Sequence, residues 1–229
     1  MRNRIKALTF SGWARVPDML DSVLPEEITD IWHMFYHSLK GKDMVLDVLK
    51  GQARQYDVVI GSGMGGMLAA HAVADGILRP RLLVIIAAPQ STLESLYNAF
   101  KASPERFRAK YLEKTLGGDE NRDELRVRFW LQADEAHDED WLNWVATHFT
   151  CDKLDFSRMP RTLVIHGQND ALIPASEAEF FRSRIPNCRV EIIPGCGHAP
   201  HMHATKRFAA LIREELDACG LVEQKLQQA

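Results

Sequence analysis

With 229 residues, 46% of them hydrophobic and 26% charged, the chain can bury a full core without disulfide or metal staples, and neither disorder nor a collagen-like polymer fits its balance. Its 28 basic and 31 acidic residues leave a formal charge of −3, so no overall basic field exists to hold nucleic acid non-specifically. Cys151, Cys188, Cys196 and Cys219 form no CxxC pair, no stretch reaches the ~18 apolar residues of a membrane span, and the first residues lack the apolar run of a secretory signal. The expectation is a soluble, cytoplasmic protein with neither nucleic acid nor membrane as partner.

In chain order, apolar runs of strand length alternate with helical patterns. Residues 7–10 make a short strand candidate ending at Ser11-Gly12-Trp13, and residues 28–35 an ambiguous one. Residues 56–60 are a β-branched run closed by glycines, followed by an alanine-rich helix over 64–74. Residues 81–87 form a continuous apolar strand closed by Pro89. Later strands are expected at 161–165 and 189–193, with helices at 175–184 and 205–216. Such alternation predicts an α/β fold, a mostly parallel sheet with helices on both faces. Between 92 and 150 no strand is convincing. Helical spacing and the aromatics Phe100, Phe107, Tyr111, Phe129, Trp130, Trp141 and Trp144 predict a short helical lid inserted into a core of residues 1–91 and 151–229. A helical subdomain packing its own core would use the same aromatics.

The sharpest motif is Gly61-Ser62-Gly63-Met64-Gly65-Gly66, and it has two readings. Gly61, Gly63 and Gly66 satisfy GxGxxG between a strand and a helix, the fingerprint of a flavin- or nucleotide-binding protein. That fingerprint needs an acid at the end of the next strand, and Leu82-Leu83-Val84-Ile85-Ile86-Ala87-Ala88 offers none. The alternative is G-x-nucleophile-x-G, a sharp strand-to-helix turn whose flanking positions must be small. Gly61 and Gly65 meet that demand, which makes Gly63 the nucleophile slot although glycine carries no nucleophile. Ser62 is the fallback, but its register puts Ile60 and Met64 where small residues belong.

A hydrolase built on that turn needs an acid after one late strand and a histidine after the next. Asp170 follows the strand ending at His166-Gly167, and His198 follows the strand ending at Pro194-Gly195. The acid would fix the imidazole tautomer, and the histidine would move the nucleophile's proton. The Ser11-Gly12-Trp13 turn can aim the Trp13 amide at a tetrahedral oxyanion, with the Met64 amide as second donor.

From residue 7 to 216 the chain resembles the α/β-hydrolase superfamily, on HGxxD around Asp170 and GxGHxP around His198. Within it the Ser11-Gly12-Trp13 turn and compact length are most similar to the short carboxylesterases of biotin synthesis, the pimeloyl-ACP methyl ester esterases. The resemblance implies a compact core without the first strands of the eight-stranded sheet, ester hydrolysis through an acyl-enzyme, and no cofactor or metal. It also implies an acyl ester carried on an acyl carrier protein, which Arg106, Lys110, Lys114, Arg122, Arg126 and Arg128 would suit; interleaved acids make a solvated helix face the plainer reading of these charges. Family members carry serine where this chain has Gly63. The chain is then an inactive form, engineered or natural, or an acyl-binding pseudoenzyme.

Other chemistry-bearing residues have plainer roles. His198, His201 and His203 are close in sequence but lie in a proline-containing loop without the carboxylate or cysteine spacing of a metal site. His166 reads as structural, Asp134 to Asp140 as a solvated edge, and Cys196 as a packing residue.

Overall fold

Six strands, β1 (Ile5–Phe10), β2 (Ile28–His33), β3 (Val58–Ser62), β4 (Leu82–Ile86), β5 (Arg161–Gly167) and β6 (Cys188–Ile193), form one sheet in the order β2-β1-β3-β4-β5-β6. Every pairing is parallel. This computed structural model describes residues 4–13, 17–36, 39, 41–52, 54–116, 139–148 and 150–222. The central strands β3 and β4 are buried at every position, as continuous apolar runs covered on both faces must be. Alternate residues feed two cores. Val59, Leu83 and Ile85 pack with Met67, Leu68 and Ala70 of helix α2 (Met64–Ala74) on one face. Val58, Ile60, Leu82, Val84 and Ile86 pack with Phe208, Leu211, Ile212 and Leu216 of the last helix on the other.

The ambiguous segment at 28–35 resolves as β2, an edge strand parallel to β1. Three elements were not expected from the sequence: a 3-10 helix at Pro17–Val23, helix α1 (Gly41–Lys50), which buries Val45, Leu46 and Leu49, and a one-turn helix at Pro200–His203, where a loop was expected and Pro200 instead opens a helical turn. Between β4 and β5 lie α3 (Glu94–Ala102), α4 (Pro104–Leu116) and α5 (Glu139–His148), with no strand among the described residues. Phe129, Trp130, Arg122, Arg126 and Arg128 fall outside the described residues. Helices α6 (Glu177–Arg184), α7 (Pro200–His203) and α8 (Thr205–Ala218) follow among the described residues. No helix among the described residues is long and apolar enough to cross a membrane.

Because all strands run the same way, their carboxyl ends share one edge of the sheet. The chain passes from β1 outward to β2, then returns to the opposite side of β1 as β3. That reversal makes the ends of β1 and β3 the topological switch point of the sheet, the place where open α/β sheets bind ligands.

Candidate functional site

At the end of β3 the chain turns within one residue into α2. Gly63, between them, has φ 54° and ψ −121°, a conformation that L-residues rarely adopt. Its neighbours are glycine for a different reason. A Cβ on Gly61 would overlap the Gly65 carbonyl, and one on Gly65 would overlap the carbonyls of Phe10 and Ser11. One on Gly66 would come within 2.8 Å of the Ala88 Cβ. The turn is therefore wedged between the end of β1 and α2. Gly63 alone has room: a Cβ there would lie 3.7 Å from His198 Nε2 and 3.9 Å from the Gly12 Cα, ordinary van der Waals contact.

Ser62 is the last residue of β3, buried and paired in register with Ile86. It is the Cβ direction of Gly63 that meets His198 Nε2.

Opposite the turn, the loops after β5 and β6 are locked together. A Cβ on Gly167 would overlap the carbonyls of Gly197 and Cys196. The Asn169 amide donates to the Cys196 carbonyl at 2.8 Å, and the Gln168 amide to the Ile193 carbonyl at 3.0 Å. This close approach brings Asp170 and His198 into contact. His198 Nδ1 lies 2.8 Å from Asp170 Oδ2, and both side chains are buried. A carboxylate only accepts, so Nδ1 of a neutral His198 carries the proton and Nε2 presents its lone pair toward Gly63.

Asp170 is held from all sides. Its Oδ1 accepts from the amides of Leu172 at 2.8 Å and Ile173 at 2.9 Å. The ring of His166, fully buried, places Nε2 3.1 Å from Asp170 Oδ2 and 2.9 Å from the Ile173 carbonyl. Both neighbours accept, so Nε2 is the protonated nitrogen of His166. Burial by itself would raise the Asp170 pKa. The charge of His198, hydrogen bonds from both histidines and the Ile173 amide outweigh it and hold the carboxyl below the usual carboxylate range.

The third wall comes from β1 and the helices after β4. Trp13 is buried in the turn after β1 and meets Phe100, Phe107 and Tyr111 edge-on, at centroid distances of 6.1, 5.7 and 5.1 Å. Tyr111 is also 6.4 Å from the His198 ring. Phe107, Tyr111 and Thr115 recur every four residues on α4 and are buried, while Arg106, Lys110 and Lys114 on the same helix are exposed. The Tyr36 hydroxyl donates to the Ser11 carbonyl and fixes the Ser11-Gly12-Trp13 turn from behind. Met64 opens α2, so its amide belongs to the helix's first-turn donors, which have no partner within the helix.

The remaining candidates resolve simply. His203 Nδ1 accepts from the Gly197 amide at 3.2 Å, and His201 is buried beside Phe208 at 5.9 Å. Among the described residues no group of three or more His, Cys, Asp or Glu could hold a metal ion. Cys196 is buried in the core on the α8 side of the sheet. Asp140 is exposed in the first turn of α5, and residues 134–138 lie outside the described set. Two contributors escaped sequence reasoning. His166 has a signal, its place four residues before Asp170 in HGxxD. Tyr36 has none, since it reaches Ser11 across 25 residues.

The model of the Alpha/beta hydrolase family matches residues 9–211. A pimeloyl-[acyl-carrier protein] methyl ester esterase of Nitrosomonas europaea is 25% identical, over 87% of this chain and 90% of its own length. Among solved structures, an esterase from Exiguobacterium antarcticum superposes with a TM-score of 0.77 at 14% identity, covering 95% of this chain and 93% of its own. A bromoperoxidase from Bacillus anthracis gives 0.78 at 18% identity, covering 94% and 92%. With the family model spanning most of the chain, this protein belongs to the alpha/beta hydrolase family.

Proposed function

We propose that the chain is a carboxylic-ester hydrolase of serine-hydrolase descent, with Asp170 and His198 serving a nucleophile slot that Gly63 occupies. The observation that carries the reading is the line Asp170 Oδ2, His198 Nδ1, His198 Nε2, Gly63: a base with a fixed tautomer facing a strained turn apex. In this reading Asp170 holds the imidazole and stabilises its protonated form. The amides of Trp13 and Met64 receive the oxyanion. The insertion between β4 and β5 acts as a lid over the ends of β1 and β3. The substrate is an acyl ester on an acidic carrier protein, a methyl pimeloyl ester among the candidates. Its support is the name of the Nitrosomonas europaea relative and the exposed stripe of Arg106, Lys110 and Lys114.

Gly63→Ser tests the reading. It should hydrolyse p-nitrophenyl butyrate through an acyl-enzyme, and His198→Ala on that background should abolish the activity. A folded Gly63→Ser protein that leaves short esters intact would count against an ester-hydrolase site. For the carrier, Lys110→Glu with Lys114→Glu on the Gly63→Ser background should slow carrier-bound esters several-fold and leave small esters unchanged, with the difference fading as salt screens charges beyond ~8–10 Å.

A further inference from the structure

We infer that the chain as it stands, with glycine at 63, hydrolyses esters in one step: a water molecule between Gly63 and His198 replaces the nucleophilic side chain. The inference rests on the ester-hydrolase reading above and concerns how that same site works without a serine.

Three observations point there. First, the space in front of Gly63 is usable. A Cβ would touch only His198 Nε2, at 3.7 Å, and the Gly12 Cα, at 3.9 Å. A serine side chain beyond the Cα is two heavy atoms, about the volume of one water (~30 Å³). The same space thus takes either group, and a small shift brings a water oxygen to hydrogen-bond distance of Nε2. Second, the base is built without help from residue 63. His198 is fixed by Asp170, and Asp170 by His166 and by the Leu172 and Ile173 amides. Third, the position is sheltered. The His198 side chain is only 7% exposed and lies beside Tyr111. A water held there is an oriented reactant rather than bulk solvent.

The chemistry balances with water alone. His198 Nε2 takes one proton from the water as its oxygen forms a bond to the acyl carbon, and the carbonyl π pair moves to the oxygen as an oxyanion. The oxyanion collapses, the carbon–alkoxide bond breaks, and the departing alkoxide takes the proton from His198. Ester and water become acid and alcohol, with no bond to the protein at any stage. His198 Nδ1–H stays on Asp170 throughout.

Loss of the nucleophile from a serine triad costs about 10⁶ in turnover, and the roughly 10³–10⁴ that remains over water comes from the oxyanion hole and binding, without the histidine. A water activated by His198 should lift the Gly63 chain above that residual, to ~10²–10⁴ below Gly63→Ser. The test uses the purified full chain with p-nitrophenyl acetate and butyrate, stopped-flow kinetics and intact-protein mass spectrometry, with melting curves confirming that each variant folds. The Gly63 chain should turn over steadily, without a burst and without an acyl adduct. Gly63→Ser should show both. His198→Ala on the Gly63 chain should fall to the residual rate that the oxyanion hole and binding alone supply. Gly63→Ala, which puts a methyl group where the water sits and leaves His198 and Asp170 alone, should lose at least tenfold.

A Gly63 chain no faster than its His198→Ala variant, beside an active Gly63→Ser, overturns the one-step inference and leaves the ester-hydrolase reading standing. An acyl adduct on the Gly63 chain also overturns it, because a protein nucleophile such as Ser62 is then reacting. Unchanged turnover in Gly63→Ala does the same. Inactivity of every folded variant, Gly63→Ser included, overturns both.

Discussion

The turn after β3 and the paired loops after β5 and β6 face each other, and they present different things. The loop side carries an acid with a buried side chain and four polar partners, and a histidine with its tautomer fixed. The turn side presents backbone alone at residue 63. Gly63 holds φ 54° and ψ −121°, and Gly61, Gly65 and Gly66 wedge the apex. Backbone geometry at this site is thus separable from the atom it presents. The glycines at 61, 65 and 167 are demanded by contacts, whereas the glycine at 63 is only made easy by its φ.

The largest effects should come from giving residue 63 a hydroxyl side chain and then removing the residues that face it. On the Gly63→Ser background, His198→Ala should lower kcat for short esters by ~10⁵–10⁶, and Asp170→Asn by ~10⁴. The second value tests the loop side specifically. An amide at 170 keeps the shape but can donate to His198 Nδ1 and fix the wrong tautomer. A loss under tenfold would mean that His166 or the Leu172 and Ile173 amides, not the Asp170 charge, set the imidazole.

Next in size are the contact-demanded glycines. Gly65→Ala pushes a methyl into the carbonyls of Phe10 and Ser11, and Gly167→Ala into those of Cys196 and Gly197. All four are backbone atoms of buried strand ends or loops that cannot step aside cheaply. Each change should cost about 3–5 kcal/mol, read as a melting temperature lower by roughly 6–20 °C for a chain of this size. Gly63→Ala meets no such contact and should cost only the strain of its φ, about 1–3 kcal/mol. Equal losses at 63 and 65 would erase the distinction between the two kinds of glycine.

Legibility followed the same division. The central strands β3, β4 and β5 could be read from continuous apolar runs, and α2 at 64–74 from its break at the glycines, because burial on both faces leaves no polar alternation to confuse the period; the edge strand β2, only partly buried, stayed ambiguous. Asp170 and His198 could be read because each follows a strand end by a few residues, and parallel strands put those ends on one edge. Helix α1 escaped because Val45, Leu46 and Leu49 form a short buried stripe among lysines and aspartates, with Gly41 at its start. The hold of His166 on Asp170 escaped for a different reason. The sequence shows a histidine closing β5, but only the crossing of the Gly167 and Gly197 loops decides what its ring meets. Trp13 against Phe100, Phe107 and Tyr111 likewise depends on how α3 and α4 fold back over the turn after β1, a contact across nearly a hundred residues.

A further effect, confined to low pH, concerns how the turn side is anchored. His71, on α2, is buried; its Nε2 lies 3.0 Å from the Thr150 carbonyl and its Nδ1 3.4 Å from Lys42 Nζ. The carbonyl only accepts and the ammonium only donates, so the neutral ring with its proton on Nε2 satisfies both. A second proton on Nδ1 would face Lys42. Burial first, and the Lys42 charge second, push the His71 pKa down from 6.5 to about 4. In the unfolded chain His71 takes up its proton near pH 6.5, while the folded protein resists until about pH 4. The unfolded state therefore binds more protons in that window, and His71 lowers stability progressively as pH falls through it, by on the order of 3 kcal/mol. Above pH 7 the penalty is absent. His71→Gln keeps a donor for Thr150 and an acceptor for Lys42 without titrating, so its urea midpoint should fall less than the parent's between pH 7.5 and 4.5. The same slope in both proteins would assign the acid sensitivity to other groups and leave α2 anchored by packing alone. A flatter slope in the variant, with esterase activity of the Gly63→Ser form unchanged at pH 7.5, would show that the backbone of the turn is held by a neutral histidine remote from the chemistry.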